Sequence, residues 1–226
     1  PLIFFDEIDP SADETYICTM INGENQHGWL SGRARIVVWD LEWRLQGEPP
    51  NIPGVSEMWA SDRWYAEQIG ARYVPLGSHP GLNPTPELNI DKLFDVTMLA
   101  YMTPRRERVA NEMKRAGLTM TGNAWGEQRH NYLLQSRAMV NVHQHDWAHT
   151  TAPQRFALAA AYKLPLISER ACDPGVFTDA VLWSEYGALA NFVSNQLGGD
   201  LREFGEALYQ LLCVDNPFRL CVESAL

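Results

Sequence analysis

Short apolar runs alternate along this chain with longer segments of helical periodicity, and glycines and prolines separate the two. Such alternation is typical of α/β proteins, in which helices cover a mostly parallel sheet. A helix is predicted over Asp62–Ile69, with Ser61 as its N-cap. In the first third, the apolar runs predict strands at Leu2–Phe5, Tyr16–Met20, Ile36–Asp40, Glu57–Ala60 and Arg72–Pro75.

A proline-rich segment divides the chain. Residues 77–86, GSHPGLNPTP, contain three prolines and two glycines, a composition typical of linkers. We therefore expect two α/β domains, residues 1–80 and 87–226. The second is predicted to be doubly wound, in the order strand Asp95–Ala100, helix Pro104–Ala116, strand Leu118–Thr121, helix Gly126–Ser136, strand Ala138–Val142, helix Pro153–Tyr162 and strand Leu166–Ser168. A strand near Ala180–Trp183 and helices at Glu185–Gln196 and Leu201–Cys213 are predicted to follow.

Composition excludes several classes of protein. Among 226 residues, 46% are hydrophobic and 20% charged, as in ordinary globular domains. No apolar run approaches the roughly 18 residues of a membrane span, and the acidic start lacks a signal peptide's basic residues, so we expect a cytoplasmic protein. The four cysteines form no Cys-x-x-Cys pair, which predicts reduced thiols.

Charge is distributed unevenly. The net charge of −10 opposes tight binding to a nucleic acid, which draws its affinity from lysines and arginines. The segment between Ala100 and Arg137, however, contains seven basic residues and only three acidic ones. A basic segment on an acidic protein suits a small anionic ligand better than a long polyanion.

A helix start in that basic segment is the first candidate site. Thr103 is a good N-cap, Pro104 suits the first turn, and Arg105 and Arg106 follow directly. Backbone N–H groups at a helix start favour anions, and guanidinium groups add bidentate phosphate recognition. The alternative is a solvated charged helix face, although helix starts usually prefer acidic residues.

A histidine-containing loop is the second candidate. His143, His145 and His149 follow a predicted strand and precede a helix that begins after Thr151. In open α/β sheets, ligands bind at the carboxyl ends of strands. Histidines in this spacing invite a metal interpretation, but a closed set of ligands is missing. We therefore expect a polar substrate loop and no metal site.

Other candidates lie at further strand ends. Trp125 and Gly126 stand between a strand and a helix, where an aromatic side chain could stack on a base or fill the core. In the first domain, His27, Asp40 and Glu42 follow predicted strands and are candidates for a general base; capping and turn formation are the alternative. The sequence contains neither a P-loop nor a Gly-x-Gly-x-x-Gly or Gly-x-Ser-x-Gly motif, which disfavours kinases, GTPases, ordinary dehydrogenases and esterases.

Four segments together resemble a known family. They are RYVPLGSHPGLNP, FDVTMLAYMTPRRERVANEMKRAGL, WGEQRHNYLLQSRAMVNVH and APQRFALAAAYKLPLISE, with a weaker echo in VVWDLEW. They are similar to the donor-binding half of GT-B glycosyltransferases, in particular the bacterial and phage branch related to spore-maturation proteins. The resemblance covers about the last two thirds of the chain.

That resemblance implies two Rossmann-like lobes, of which the N-terminal one would bind the acceptor; in this chain the N-terminal lobe is reduced. The C-terminal lobe would bind a UDP- or GDP-linked sugar as co-substrate, with no tightly bound cofactor. Arg105, Arg106 and Arg155 would neutralise the diphosphate, and Trp125 and Gly126 would line the nucleobase slot. The loop from His143 to Thr151 would contact the sugar and phosphates.

The chain also departs from the family pattern. Thr150 and Leu158 occupy positions where many retaining relatives carry glutamates, the second of which holds the ribose. Lys163 replaces the usual helix-ending glycine. The first lobe is short, so acceptor recognition would be reduced or completed by a partner subunit, as in a homo-oligomer.

The leading hypothesis is therefore a metal-independent glycosyltransferase with an unidentified acceptor: a small molecule, a glycan, a protein or a modified phage DNA base. An inverting reaction would require a base such as His27, Asp40 or Glu42, whereas a retaining reaction would not. The alternatives are a non-catalytic nucleotide-sugar-binding module and a metal-dependent hydrolase built on the histidine loop.

Overall fold

A computed structural model describes residues 15–20, 35–40, 55–79, 90–147 and 150–226. The predicted strand Leu2–Phe5, the candidates His27, Glu42 and His149, and most of the linker lie outside the described residues. The chain divides into two compact units, Pro1–Pro75 and Leu76–Leu226. In the described part of the chain, no helix combines the length and apolar character that crossing a bilayer requires.

The first unit contains a four-stranded parallel sheet in the order β1-β2-β3-β4. Its core includes an edge-to-face pair, Trp39 and Trp59, with ring centroids 5.9 Å apart. The prediction that Ser61 is the N-cap of the helix is wrong. Asp62 is the N-cap, and its side chain accepts a hydrogen bond from the Tyr65 N–H at 2.9 Å. The elements are β1 (Thr15–Met20), β2 (Arg35–Asp40), β3 (Glu57–Ala60), α1 (Arg63–Ile69) and β4 (Arg72–Tyr73).

The second unit contains a five-stranded parallel sheet in the order β6-β5-β7-β8-β9. Its strands are β5 (Phe94–Thr97), β6 (Met120–Thr121), β7 (Ser136–Asn141), β8 (Leu166–Glu169) and β9 (Leu182–Ser184). Its helices are α2 (Pro104–Arg115), α3 (Gly126–Gln135), α4 (Pro153–Ala161), α5 (Leu189–Gln196), α6 (Arg202–Tyr209) and α7 (Phe218–Glu223).

Helices cover both faces of this sheet. Alternate residues of β7 enter different cores: Val140 packs in the cluster that includes Val109 of α2 and Val193 of α5. Met139 packs instead in the cluster that includes Phe156 of α4. This alternation follows from the two-residue period of a strand. The doubly wound arrangement predicted for the second half is therefore present.

The C-terminal region differs in detail from the prediction. The helix predicted from Glu185 begins with a 3₁₀ turn at Tyr186–Ala188, and the one predicted to Cys213 becomes a π-helical segment at Gln210–Asp215. Helix α7 was not predicted. The start of the second unit contacts this region, since the Ser78 N–H donates to the Leu212 carbonyl at 2.9 Å.

Lys163 lies in the loop between α4 and β8 in a left-handed conformation, with φ of 50°. The resemblance described above leads one to expect glycine here, and glycine adopts this conformation without the steric cost that a Cβ imposes. The ammonium of Lys163 lies 2.8 Å from Glu206 Oε2 and 4.6 Å from the centre of the Tyr209 ring. These contacts with α6 offset part of the backbone cost.

Candidate functional site

The site lies at the point where the strand order of the second sheet reverses. β5 is flanked by β6 on one side and β7 on the other, so the chain crosses in opposite senses from β5. In open α/β sheets, ligands bind beyond the carboxyl ends of the strands at such a switch point. The loops that follow β5 and β7 lead into α2 and α4, and both helix starts carry arginines.

Three arginines meet at the carboxyl end of β7. Arg105 and Arg106 come from the start of α2, and Arg155 comes from the start of α4. They bind three consecutive residues: Arg155 Nη1 donates to Asn141 Oδ1 at 2.7 Å, Arg106 Nε to the Val142 carbonyl at 2.9 Å, and Arg105 Nη1 to the His143 carbonyl at 3.2 Å. The two helix starts that the sequence singled out therefore present their guanidinium groups at one place.

Local sequence sets the geometry of the α2 start. Thr103 is the N-cap, as predicted, and its hydroxyl accepts from the Arg106 N–H at 3.4 Å. The same hydroxyl lies 3.4 Å from the Gln144 carbonyl, to which it can donate. Thr103 thus connects the first turn of α2 to the loop after β7.

Arg106 is a buried cation, with 2% of the residue exposed. Its burial, together with the positive charges of Arg155 and Arg105, lowers the pKa of Arg106 to about 10. It is therefore charged at neutral pH. Among the described residues, no carboxylate lies within ion-pair distance of Arg106, whose Nη1 donates to the Tyr101 carbonyl at 2.7 Å. An anion bound nearby would offset this unfavourable charge burial.

Arg105 is engaged by protein groups on several sides. Its Nη1 and Nη2 contact the two oxygens of Glu169 at 2.6 and 2.5 Å, and its Nε contacts Asp146 Oδ1 at 2.6 Å. Burial alone would lower the pKa of Arg105, but the hydrogen bonds to Glu169 and Asp146 raise it above its ordinary value. Arg105 connects α2 to the ends of β7 and β8.

Glu169 was missed by the sequence reasoning. It ends β8, is 7% exposed, and also accepts the His143 backbone N–H at 2.9 Å. The available signal was an acidic residue two positions after the predicted strand residue Ile167. Its partner Arg105 is 64 positions earlier, so spacing along the chain could not reveal the pair.

The loop after β7 contains two other predicted residues. His143 is buried, with Nδ1 3.7 Å from Glu169 Oε1, and Thr151 is also buried. His145 stacks on Trp147 with ring centroids 4.5 Å apart. Among the described residues, no group of three or more histidine, cysteine, aspartate or glutamate side chains could hold a metal ion.

Trp125 lies at the start of α3, after β6, and 75% of it is exposed. Gly126 follows with φ of 55°, and a Cβ there would meet nothing within 4 Å. The glycine is therefore favoured by backbone conformation rather than by space. Trp125 follows β6, which lies two strands from β7 in the sheet order, and its ring is accessible for stacking.

Asp40 is the one candidate base of the first unit among the described residues. It ends β2 and is 1% exposed. The Tyr65 hydroxyl donates to Asp40 Oδ2 at 3.1 Å. This environment favours a structural role for Asp40, because a buried carboxylate has little access to a substrate proton.

Comparison with solved structures identifies the class of fold. AviGT4, a glycosyltransferase involved in avilamycin A biosynthesis, superposes with a TM-score of 0.56 at 13% identity, covering 84% of this chain and 72% of its own. TarM gives 0.60 at 11% identity, covering 98% and 55%. An O-GlcNAc transferase variant of Thermobaculum terrenum gives 0.50 at 8%, covering 96% and 67%. No protein-family model matches the chain, and no curated protein sequence matches it.

These similarities establish an α/β fold of two Rossmann-like, parallel-sheet units, as in GT-B glycosyltransferases, with a reduced first unit. The chain spans just over half the length of TarM. Identities of this size show the fold alone.

Proposed function

We propose that the protein is a glycosyltransferase that moves a sugar from a nucleotide-sugar donor to an acceptor, with the donor bound by residues 87–226. The observation that carries this proposal is the meeting of Arg105, Arg106 and Arg155 at the carboxyl end of β7. The fold is one that known glycosyltransferases share. The sequence motifs further favour the branch related to spore-maturation proteins.

The arginines suit the chemistry of the donor. When the glycosidic bond breaks, negative charge grows on the departing nucleoside diphosphate, and preorganised positive groups stabilise that charge. Arg106 and Arg155 supply these positive groups beside the start of α4, where the helix dipole also favours an anion. We propose that these groups suffice without a metal ion.

Other predicted residues fit the remainder of a nucleotide-sugar. The exposed ring of Trp125 is suited to stacking on a uracil or guanine base, with Gly126 beside it. His143 and Thr151 would line the side near the sugar and phosphates. Leu158 of α4, where many retaining relatives have the ribose-binding glutamate, is partly buried against the core, so ribose would be held by another group.

The first unit is proposed to recognise the acceptor, whose identity stays open. Because Asp40 is buried against Tyr65, His27 or Glu42 is the better candidate base if the reaction inverts the anomeric centre. The net charge of −10 makes a small molecule, glycan or protein a better acceptor than duplex DNA. A homo-oligomer would be one way to complete this reduced unit.

Calorimetric titration with UDP and GDP tests the donor site. We expect micromolar to millimolar binding of one of them to the wild type and at least tenfold weaker binding to Arg155→Ala. Arg202→Ala removes the same charge from an exposed pair with Asp200 and is the matched control. Equal affinities for Arg155→Ala and the control would refute the assignment.

A non-catalytic nucleotide-sugar-binding module is the alternative, favoured by the leucine at position 158. Incubation with UDP- and GDP-sugars in the absence of acceptor separates the two. A transferase releases sugar slowly to water, and this release should depend on Arg155. If the protein binds a nucleotide-sugar but no incubation releases sugar, the result would support the binding module.

A further inference from the structure

The guanidinium group of Arg105 is held on three sides by protein groups, of which Glu169 and His143 are buried. Both oxygens of Glu169 and the His143 carbonyl accept from its Nη atoms. The Tyr186 ring lies under it, with the ring centre 3.7 Å from Cζ, and the Tyr186 hydroxyl donates to the Arg105 carbonyl at 3.1 Å. These contacts fix both the plane and the rotation of the guanidinium group.

On the fourth side of the Arg105 guanidinium group, the contacting residue is exposed to solvent. The Nε–H edge contacts Asp146, whose side chain is 89% exposed, whereas the side chains of Arg105 and Glu169 are 12% and 9% exposed. Ion pairs with one solvated partner contribute little net free energy. Asp146 can therefore be exchanged for another anion at small cost, while Glu169 cannot.

We propose that the Nε–H edge of Arg105 is a subsite for a ligand phosphate, that Asp146 holds this edge until the ligand replaces it, and that Glu169 is the residue that positions Arg105. This inference rests on the proposed function and specifies its donor site. The phosphate oxygen would accept the hydrogen bond that Asp146 accepts in the structure. On binding, the Asp146 carboxylate would turn to solvent.

An Asp146→Asn variant tests the exchange directly, because it removes the competing charge and preserves the shape of the side chain. We expect inorganic pyrophosphate and the preferred nucleoside diphosphate to bind about three- to tenfold more tightly than to the wild type. Asp200→Asn removes one negative charge from another exposed arginine pair and should leave both affinities unchanged.

A second variant, Glu169→Gln alone, tests the positioning role of Glu169. Glutamine keeps the size of the side chain but loses the charge that holds Arg105, so we expect at least tenfold weaker binding. In the double variant with Asp146→Asn, the gain from the asparagine should disappear, because Arg105 is no longer held at the subsite. A purely structural role would lower the melting temperature and leave that gain intact.

The outcomes separate this inference from the donor-site assignment. If the wild type binds a diphosphate and Asp146→Asn binds it equally or more weakly, the subsite is refuted and the donor site stands. A gain that survives in the double variant refutes the positioning role of Glu169. If neither pyrophosphate nor a nucleoside diphosphate binds to the wild type, both proposals are wrong.

Discussion

The carbonyl oxygen of Lys163 occupies the space in which a side chain on Gly205 would begin: a Cβ at Gly205 would lie 2.1 Å from that oxygen. Glycine is required here by a close approach between α6 and the loop after α4. The same loop holds Lys163 at a φ of 50°, so neither backbone can shift freely. This contact fixes the C-terminal end of α4, the helix that begins next to Arg155.

A Gly205→Ala substitution should therefore destabilise the protein by about 2 kcal/mol or more, because the new methyl group meets backbone atoms that cannot rotate away. Gly122→Ala is the control, since a Cβ at Gly122 meets nothing within 4 Å. Chemical denaturation of both variants measures the difference. Equal free energies of unfolding would show that the contact relaxes.

The amide of Asn141 joins Arg155 to Ser168, with its nitrogen donating to Ser168 Oγ at 2.9 Å. An Asn141→Asp substitution should add a carboxylate beside Arg155 that competes with a ligand phosphate. We expect at least tenfold weaker diphosphate binding. Asn131→Asp, the same change at an exposed position on α3, should bind like the wild type in the same titration.

Trp125→Ala should separate recognition of the base from recognition of the phosphates. If the exposed ring stacks on the base, its loss weakens nucleoside diphosphate binding by about 1 kcal/mol or more. Pyrophosphate, which has no base, should bind unchanged. An equal loss for both ligands would place Trp125 next to the phosphates instead. Trp125→Phe should retain part of the affinity.

Asp95 predicts an acid-dependent contribution to stability. Burial would raise the pKa of Asp95, but hydrogen bonds from Thr119 and Arg137 outweigh it and lower the pKa below its ordinary value of 3.8. The unfolded chain therefore binds this proton more readily, and the contribution is present above pH 3.8 and lost as pH falls through the lower, folded-state pKa.

An Asp95→Asn variant should accordingly be about 1 kcal/mol less stable than the wild type at pH 7. The difference should shrink as the pH is lowered below 4. Denaturation curves between pH 2.5 and 7 check this, with the exposed Asp179→Asn as the control. A difference independent of pH would mean that the Asp95 charge is not the cause.

Local signals made the start of α2 predictable. Thr103 and Pro104 specify an N-cap and a first turn through contacts within a few residues, which sequence alone can supply. Ser61 and Asp62 are both capable caps by residue type, and the sequence does not distinguish Asp62, which accepts from the Tyr65 N–H in the structure. The π-helical segment at Gln210–Asp215 has no such signature, because it depends on packing against distant residues.

The role of Arg105 shows the corresponding limit for the site. From its position at a helix start, the sequence predicts that Arg105 binds a phosphate. The contacts of Arg105 with Glu169 and Tyr186, however, join residues 64 and 81 positions apart. Side-chain pairs at such separations are set by the strand order of the sheet. A strand order that places β7 between β5 and β8 cannot be read from periodicity.

The hydrogen bond between Ser78 and Leu212 brings the entry to the second unit beside its last helices. The neighbouring Phe218 N–H donates back to the Ser78 carbonyl at 3.1 Å. A unit whose first residues pair with its later helices in this way can be cut out, transplanted or rejoined in a new order without threading chain through its interior. In evolutionary terms, such a unit can be exchanged between proteins as a single block of sequence.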